Sequence, residues 1–117
     1  MASIVRNLIA MLDTSSIQQA TQRLVAQAKH PVKVILFGSY ARGDATEDSD
    51  LDLLVIQKDI PDSSEEYVRL RTALGSLGVG VDLLLLTEAE FEKRREWCST
   101  PAYWAAREGK VLHDATA

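Results

Sequence analysis

The chain has 117 residues, 46 % of them hydrophobic, enough for one compact core. That composition excludes a disordered chain, and the length leaves little room for a separate substrate-binding domain. A net charge of −4, from 13 Lys and Arg against 17 Asp and Glu, argues against general nucleic-acid binding, which needs a basic footprint to displace counterions. Acidity of this kind still suits a divalent metal, because a bound cation inverts the local charge towards phosphate.

The one cysteine, Cys98, has no internal partner for a disulfide and reads as a buried or half-buried thiol of a reducing compartment. The N-terminal stretch MASIVRNLIAMLDTSS carries Arg6 and Asp13 among its apolar residues. It lacks both a long apolar run and a small-residue cleavage pattern. The expectation is a cytoplasmic protein with no membrane association.

In chain order, Ile4, Leu8, Ile9 and Leu12 predict a first helix over 3–12. A second follows over 15–29, with Ile17, Leu24, Val25 and Ala28 on one stripe, and His30-Pro31 ends it. Val32–Phe37 is β-branched and apolar, a strand running into a tight turn at Gly38. Residues 41–48 are polar and turn-like, with room for one helical turn. From Asp50 to Gln57 the pattern alternates, with Asp50, Asp52, Leu54 and Ile56 on one face and Leu51, Leu53 and Val55 on the other. Pro61 and the acidic run after it start a helix that turns Tyr67, Leu70, Leu74 and Leu77 inward and stops at Gly78 and Gly80. Val81–Leu86 is a third strand with Asp82 near its start. Thr87 to Glu90 is a capping box for a helix to about Trp97. Pro101 opens a shorter helix that Gly109 closes, and Lys110–His113 adds a short edge strand.

The chemistry concentrates between Gly38 and Asp52. A strand ends in Gly38-Ser39, ten residues intervene, and Asp50-Leu51-Asp52 opens the next strand. Gly38 lets the backbone approach phosphate oxygens, and Ser39 offers them a hydroxyl and an amide. Asp50 and Asp52 share one strand face at period two, so both carboxylates can converge on one site. Two bare carboxylates so close repel, and a bound cation removes the penalty. Magnesium suits them, because it takes few protein oxygens and completes its shell from water and substrate phosphates. Asp82, at the start of a neighbouring apolar strand, is placed to reach a second ion.

This segment resembles the GS-x10-DxD signature of the DNA polymerase β-type nucleotidyltransferase superfamily. The short chain resembles most the minimal nucleotidyltransferases (MNT) that partner HEPN-domain toxins. The likeness runs from Val32 to about Leu86, and Glu108 to Leu112 resembles the usual end of such domains. It implies an α/β fold with a small mixed sheet flanked by helices, residues 1–30 forming N-terminal helices, 31–90 the catalytic core and 91–117 the C-terminal helices and tail. It also implies ATP and Mg²⁺ as ligands and transfer of AMP with release of pyrophosphate. Gly38 and Ser39 match the phosphate-binding turn, Asp50 and Asp52 the metal pair, and Asp82 the third carboxylate that helps activate the acceptor hydroxyl. The implied acceptor is a tyrosine of a cognate HEPN ribonuclease, which the chain would neutralise as its antitoxin in a hetero-oligomer.

Two other functions fit the same residues. One is an antitoxin that masks its toxin stoichiometrically. The other is a small-molecule, aminoglycoside-type nucleotidyltransferase, although those enzymes usually carry an additional helical domain. Several charged and aromatic residues have bland readings. Arg42 either neutralises triphosphate charge or pairs with Asp44 or Glu47. Glu47 and Asp48 are loop charges, and Lys33 is a strand-edge lysine. Lys93, Arg94 and Arg95 form a solvated helix face. Trp97, Tyr103 and Trp104 are packing residues, and His30 and His113 lack the partners for zinc or acid–base work.

Overall fold

The computed structural model describes residues 12–116, so the helix expected over 3–12 lies outside the described residues apart from Leu12. Helix α1 spans Thr14–Gln27, capped by Asp13, whose carboxylate accepts the Ser16 amide at 2.8 Å. Strand β1 (Pro31–Phe37) leads into the one-turn helix α2 (Ser39–Arg42) and strand β2 (Leu51–Gln57). Helix α3 (Ser63–Leu74), strand β3 (Val81–Thr87) and helices α4 (Glu88–Arg94) and α5 (Pro101–Glu108) follow, and β4 (Lys110–Asp114) ends the order. No helix among the described residues is long and apolar enough to cross a membrane.

The strands form one mixed sheet in the order β3-β2-β1-β4. β1 is antiparallel to both β2 and β4, while β2 and β3, joined through α3, are parallel. Helices cover both faces, which is why β2 reads as an almost continuous apolar run. Its odd positions Leu51, Leu53 and Val55 pack with Ile17 and Leu24 of α1 and Leu70 and Leu74 of α3. Its even positions Leu54 and Ile56 pack with Phe91 of α4 and with Ala102 and Ala105 of α5. The alternation expected for this strand is therefore present, with both faces buried. The same even face continues to Asp52, half-buried, and to the exposed Asp50 just before the strand.

Some boundaries moved for local reasons. α3 stops at Gly75 (φ +65°) rather than at Gly78 and Gly80, because a glycine in this region ends the helix one turn earlier. Leu77 packs on the core from the loop, and Tyr67 is exposed instead of inward. The capping box forms as expected, with Thr87 Oγ1 accepting the Glu90 amide at 3.1 Å and Glu90 Oε1 accepting the Thr87 amide at 3.0 Å. α4 nevertheless ends at Arg94, short of Trp97. The turn expected within 41–48 is α2, which begins two residues earlier, immediately after Gly38. Lys33 lies on β1, which is flanked on both sides, and is not an edge residue.

A buried polar knot closes the far end of β2. The Gln57 carboxamide accepts the His30 amide at 3.0 Å and donates to Glu66 Oε2 at 2.5 Å. Glu66 also accepts the Lys29 amide at 3.2 Å and pairs with Arg69, whose Nη1 donates to the Gln27 carbonyl at 2.6 Å. Gln57 and Glu66 are 0 % and 4 % exposed, so each polar atom here depends on a protein partner. Glu66→Ala would orphan Gln57 Nε2 and leave the Arg69 guanidinium only its bond to the Gln27 carbonyl. It is expected to cost about 3 kcal/mol, read as a lower urea midpoint, with Glu66→Gln losing less.

Candidate active site

The site starts where β1 ends. Gly38 takes φ +73°, which an L side chain rarely adopts, and a methyl group there would overlap the Asp52 carboxylate. Gly38 is thus required by its conformation and by Asp52 as well as by any approaching phosphate. Its carbonyl accepts the Ala41 and Arg42 amides at 3.1 and 3.0 Å, and Ser39 O accepts those of Gly43 and Asp44 at 3.0 and 3.1 Å. The first-turn amides of Ser39 and Tyr40 have no acceptor within the helix. The Gly-Ser turn therefore presents N–H groups together with the Ser39 hydroxyl.

Register then lines up the carboxylates. Asp52 pairs with Phe37 across the antiparallel ladder and with Asp82 across the parallel one. The Gly-Ser turn, Asp52 and Asp82 consequently form one row across three strands. The parallel register sets the Asp82 side chain beside that of Asp52. Burial first, then hydrogen bonding and charge from Asp82 and the charge of Asp50, push the Asp52 pKa up to about 6, against an opposing pull from Arg42. Asp50 turns its carboxylate against Gly80, where a Cβ would collide with it. The Leu51 amide donates to the Gly80 carbonyl at 2.8 Å and fixes the two strand starts together.

These side chains fit a hard divalent cation. Among the described residues no group of three His, Cys, Asp or Glu is close enough to hold an ion unaided. Magnesium needs only one or two protein carboxylates when phosphate and water supply the rest. The raised Asp52 pKa reflects burial and crowding by Asp82 and Asp50, a penalty that a bound cation would relieve.

A groove of about 630 Å³ opens beside this row, between Gly38, Arg42 and Asp52 on one side and Thr100, Trp104 and Glu108 on the other. Thr100, Trp104 and Glu108 were not singled out from the sequence as site residues. Their four-residue spacing from the helix cap through α5 was the available signal. Arg42 pairs with Asp44 (Nε to Oδ2, 3.2 Å) and with Glu108 (Nη1 to Oε2, 3.5 Å), and not with Glu47. It ties the Gly-Ser turn to α5.

Of the remaining expectations, Glu47 and Asp48 are exposed loop charges, as read. Trp97 and Trp104 are 49 % and 47 % exposed rather than packed away, and Cys98 is exposed rather than buried. Arg94 and Arg95 make intrahelical pairs with Glu90 and Glu92, and Lys93 lies over the Trp97 ring.

The Gly-Ser turn thus lies beside adjacent strand-borne carboxylates, on a mixed sheet flanked by helices. The family model described as "Nucleotidyltransferase domain" matches residues 17–102, and the chain belongs to that family. A chain of Methanocaldococcus jannaschii, named provisionally as a protein adenylyltransferase, is 40 % identical over 83 residues, covering 69 % of this chain and 77 % of the relative. Among solved structures, a chain of a toxin–antitoxin assembly with AMP-PNP superposes with a TM-score of 0.63 at 22 % identity, over 88 % of this chain and 74 % of its own. A chain from the Shewanella oneidensis complex of a tri-AMPylated HEPN toxin with its MNT antitoxin gives 0.61 at 19 %, over 90 % and 75 %. The mixed α/β fold expected from the sequence is the fold these chains share.

Two outcomes follow from the geometry. Gly38→Ala should leave the chain folded, at a cost of about 1–3 kcal/mol for a side chain at φ +73°, ψ −155°. It should displace Asp52 and lower nucleotidyl transfer by about 10²-fold, measured as turnover alongside thermal melting. The second outcome is a pH dependence. Because the Asp52 pKa is raised from 3.8 to about 6 on folding, its stabilising contribution is full below the lower value and lost as pH rises through the upper. Asp13, Glu90 and Asp114, held low mainly by hydrogen bonds to Ser16, Thr87 and Thr116, act in the opposite sense, at lower pH. In metal-free buffer Asp52→Asn should therefore melt above the wild type at neutral pH and level with it near pH 4. Magnesium should raise the wild-type Tm at neutral pH and leave the variant's unchanged.

Proposed function

We propose that the chain transfers AMP from ATP to a hydroxyl of a partner protein, a tyrosine of a HEPN-type toxin, and thereby acts as its antitoxin. The observation that carries the reading is the row formed by the Gly38-Ser39 turn, Asp52 and Asp82 across three adjacent strands. The family membership, the adenylyltransferase relative and the fold shared with chains of toxin–antitoxin complexes support it.

In this reading Gly38 and Ser39 hold triphosphate oxygens through amide and hydroxyl donors. Asp50, Asp52 and Asp82 are the magnesium ligands, and the metal, when bound, offsets negative charge on the reacting phosphate. Asp82 also accepts the proton of the acceptor hydroxyl, whose oxygen bonds to the α-phosphorus as the bond to the bridging oxygen breaks and pyrophosphate leaves. Arg42 steadies the turn through Asp44 and Glu108, and its remaining field favours the phosphates.

The test is direct. Purified protein with ATP labelled at the α-phosphate, Mg²⁺ and the product of the neighbouring gene should label that product on tyrosine. Asp52→Asn should lower the rate by about 10²–10³-fold. Equal labelling by wild type and the Asp50→Ala/Asp52→Ala double variant would sink the catalytic assignment. A double variant that still protects cells from the toxin would point to masking instead.

A further inference from the structure

We propose that Trp104 is the platform on which the base of the nucleoside triphosphate stacks, making the groove between it and Gly38 the seat of the nucleotide. This rests on the nucleotidyltransferase reading and adds to it the residue that holds the base. The groove changes character from one wall to the other. One wall carries Gly38 and Asp52, backbone and carboxylate suited to phosphate and its cation. The facing wall carries the indole of Trp104, an apolar plate 47 % exposed. A nucleoside triphosphate has the same gradient, from charged chain to flat ring, and about 630 Å³ lies in the range of small-ligand sites.

Neighbouring groups hold the indole in place. Its N–H donates to the Cys98 carbonyl at 3.2 Å, and the ring meets Tyr103 edge-on at 5.0 Å and 80°. Arg107 in turn covers the Tyr103 ring at 3.6 Å and donates to the Arg95 carbonyl at 3.1 Å. With its only polar group already bonded, Trp104 has its π-face left to offer, and any base has a matching face. Charge points the same way. Glu108, on the same helix as Trp104, lines that wall with a carboxylate. A neutral ring fits there better than a phosphate.

The competing occupant is an aromatic side chain of the acceptor, and the order of the row speaks against it. Asp82 lies on β3, on the far side of Asp52 from Gly38. The groove touches Gly38 and Asp52 without reaching Asp82. An acceptor hydroxyl handing its proton to Asp82 arrives from the β3 side, which leaves the groove to the nucleoside.

The experiment uses the full chain. Trp97→Phe makes Trp104 the sole indole, since the sequence has two tryptophans. With Mg²⁺ present, ATP should quench or shift the Trp104 fluorescence, and tripolyphosphate should bind without doing so. Trp104→Ala should raise the Kd for ATP about tenfold or more while leaving that for tripolyphosphate within about twofold, and Trp104→Phe should restore most of the loss. Unchanged ATP affinity in Trp104→Ala, equal losses for both ligands, or a raised KM for the acceptor alone would each overturn the platform. If the wild type binds neither ATP nor tripolyphosphate, the nucleotidyltransferase reading itself fails, and the platform with it.

Discussion

Carboxylate crowding at the start of β2 is the constraint around which the rest of the site is arranged. Asp52 is pressed between the turn at Gly38 and the side chain of Asp82, and burial and like charge together push its pKa up to about 6. Such a site is costly without a cation and suited to one. The glycines at 38 and 80 are part of the same arrangement, since each leaves out the Cβ that would strike a carboxylate of Asp52 or Asp50. The parallel pairing of β2 with β3 completes it. Asp82 lies beside Asp52 only because both strands run in one direction in matching register.

Much of this was legible in the sequence, and the reason is local. Gly38-Ser39 and Asp-x-Asp at strand boundaries carry their own geometry, because period two places Asp50 and Asp52 on one face wherever the strand sits. The two faces of β2 were readable for the same reason. What remained hidden depends on contacts between distant segments. The pairing of Asp82 with Asp52 needs the strand order, which spacing suggests but does not determine. Trp104 and Glu108 reach the site only because α5 packs on β1 and β2 through Ala102 and Ala105, and nothing near residue 100 announces a partner near residue 40.

The misplaced aromatics and the early stop of α3 have physical causes too. Composition favours burying a tryptophan, yet Trp104 spends its N–H on a neighbouring carbonyl and keeps its ring open to a groove. Gly75 ends α3 because a positive φ there, unlike the apolar pattern that continues to Leu77, is incompatible with another helical turn. Periodicity reports which face is apolar. It does not report where the backbone leaves the helix.

The polar knot around Gln57 has a consequence for the opposite end of its strand. From Leu53 to Ile56 β2 is apolar on both faces, so that stretch by itself scarcely distinguishes its native alignment from one slipped by a single residue, and the polar residues at the two ends must do so. A slip would trade Asp52 for a leucine at the groove and drive a carboxylate into the core. It would also strip Gln57 of its bonds to His30 and Glu66, leaving a carboxamide dry and unpaired. A side chain remote from the chemistry thus acts as an index pin, setting which of two nearly equivalent faces of the strand carries the acid.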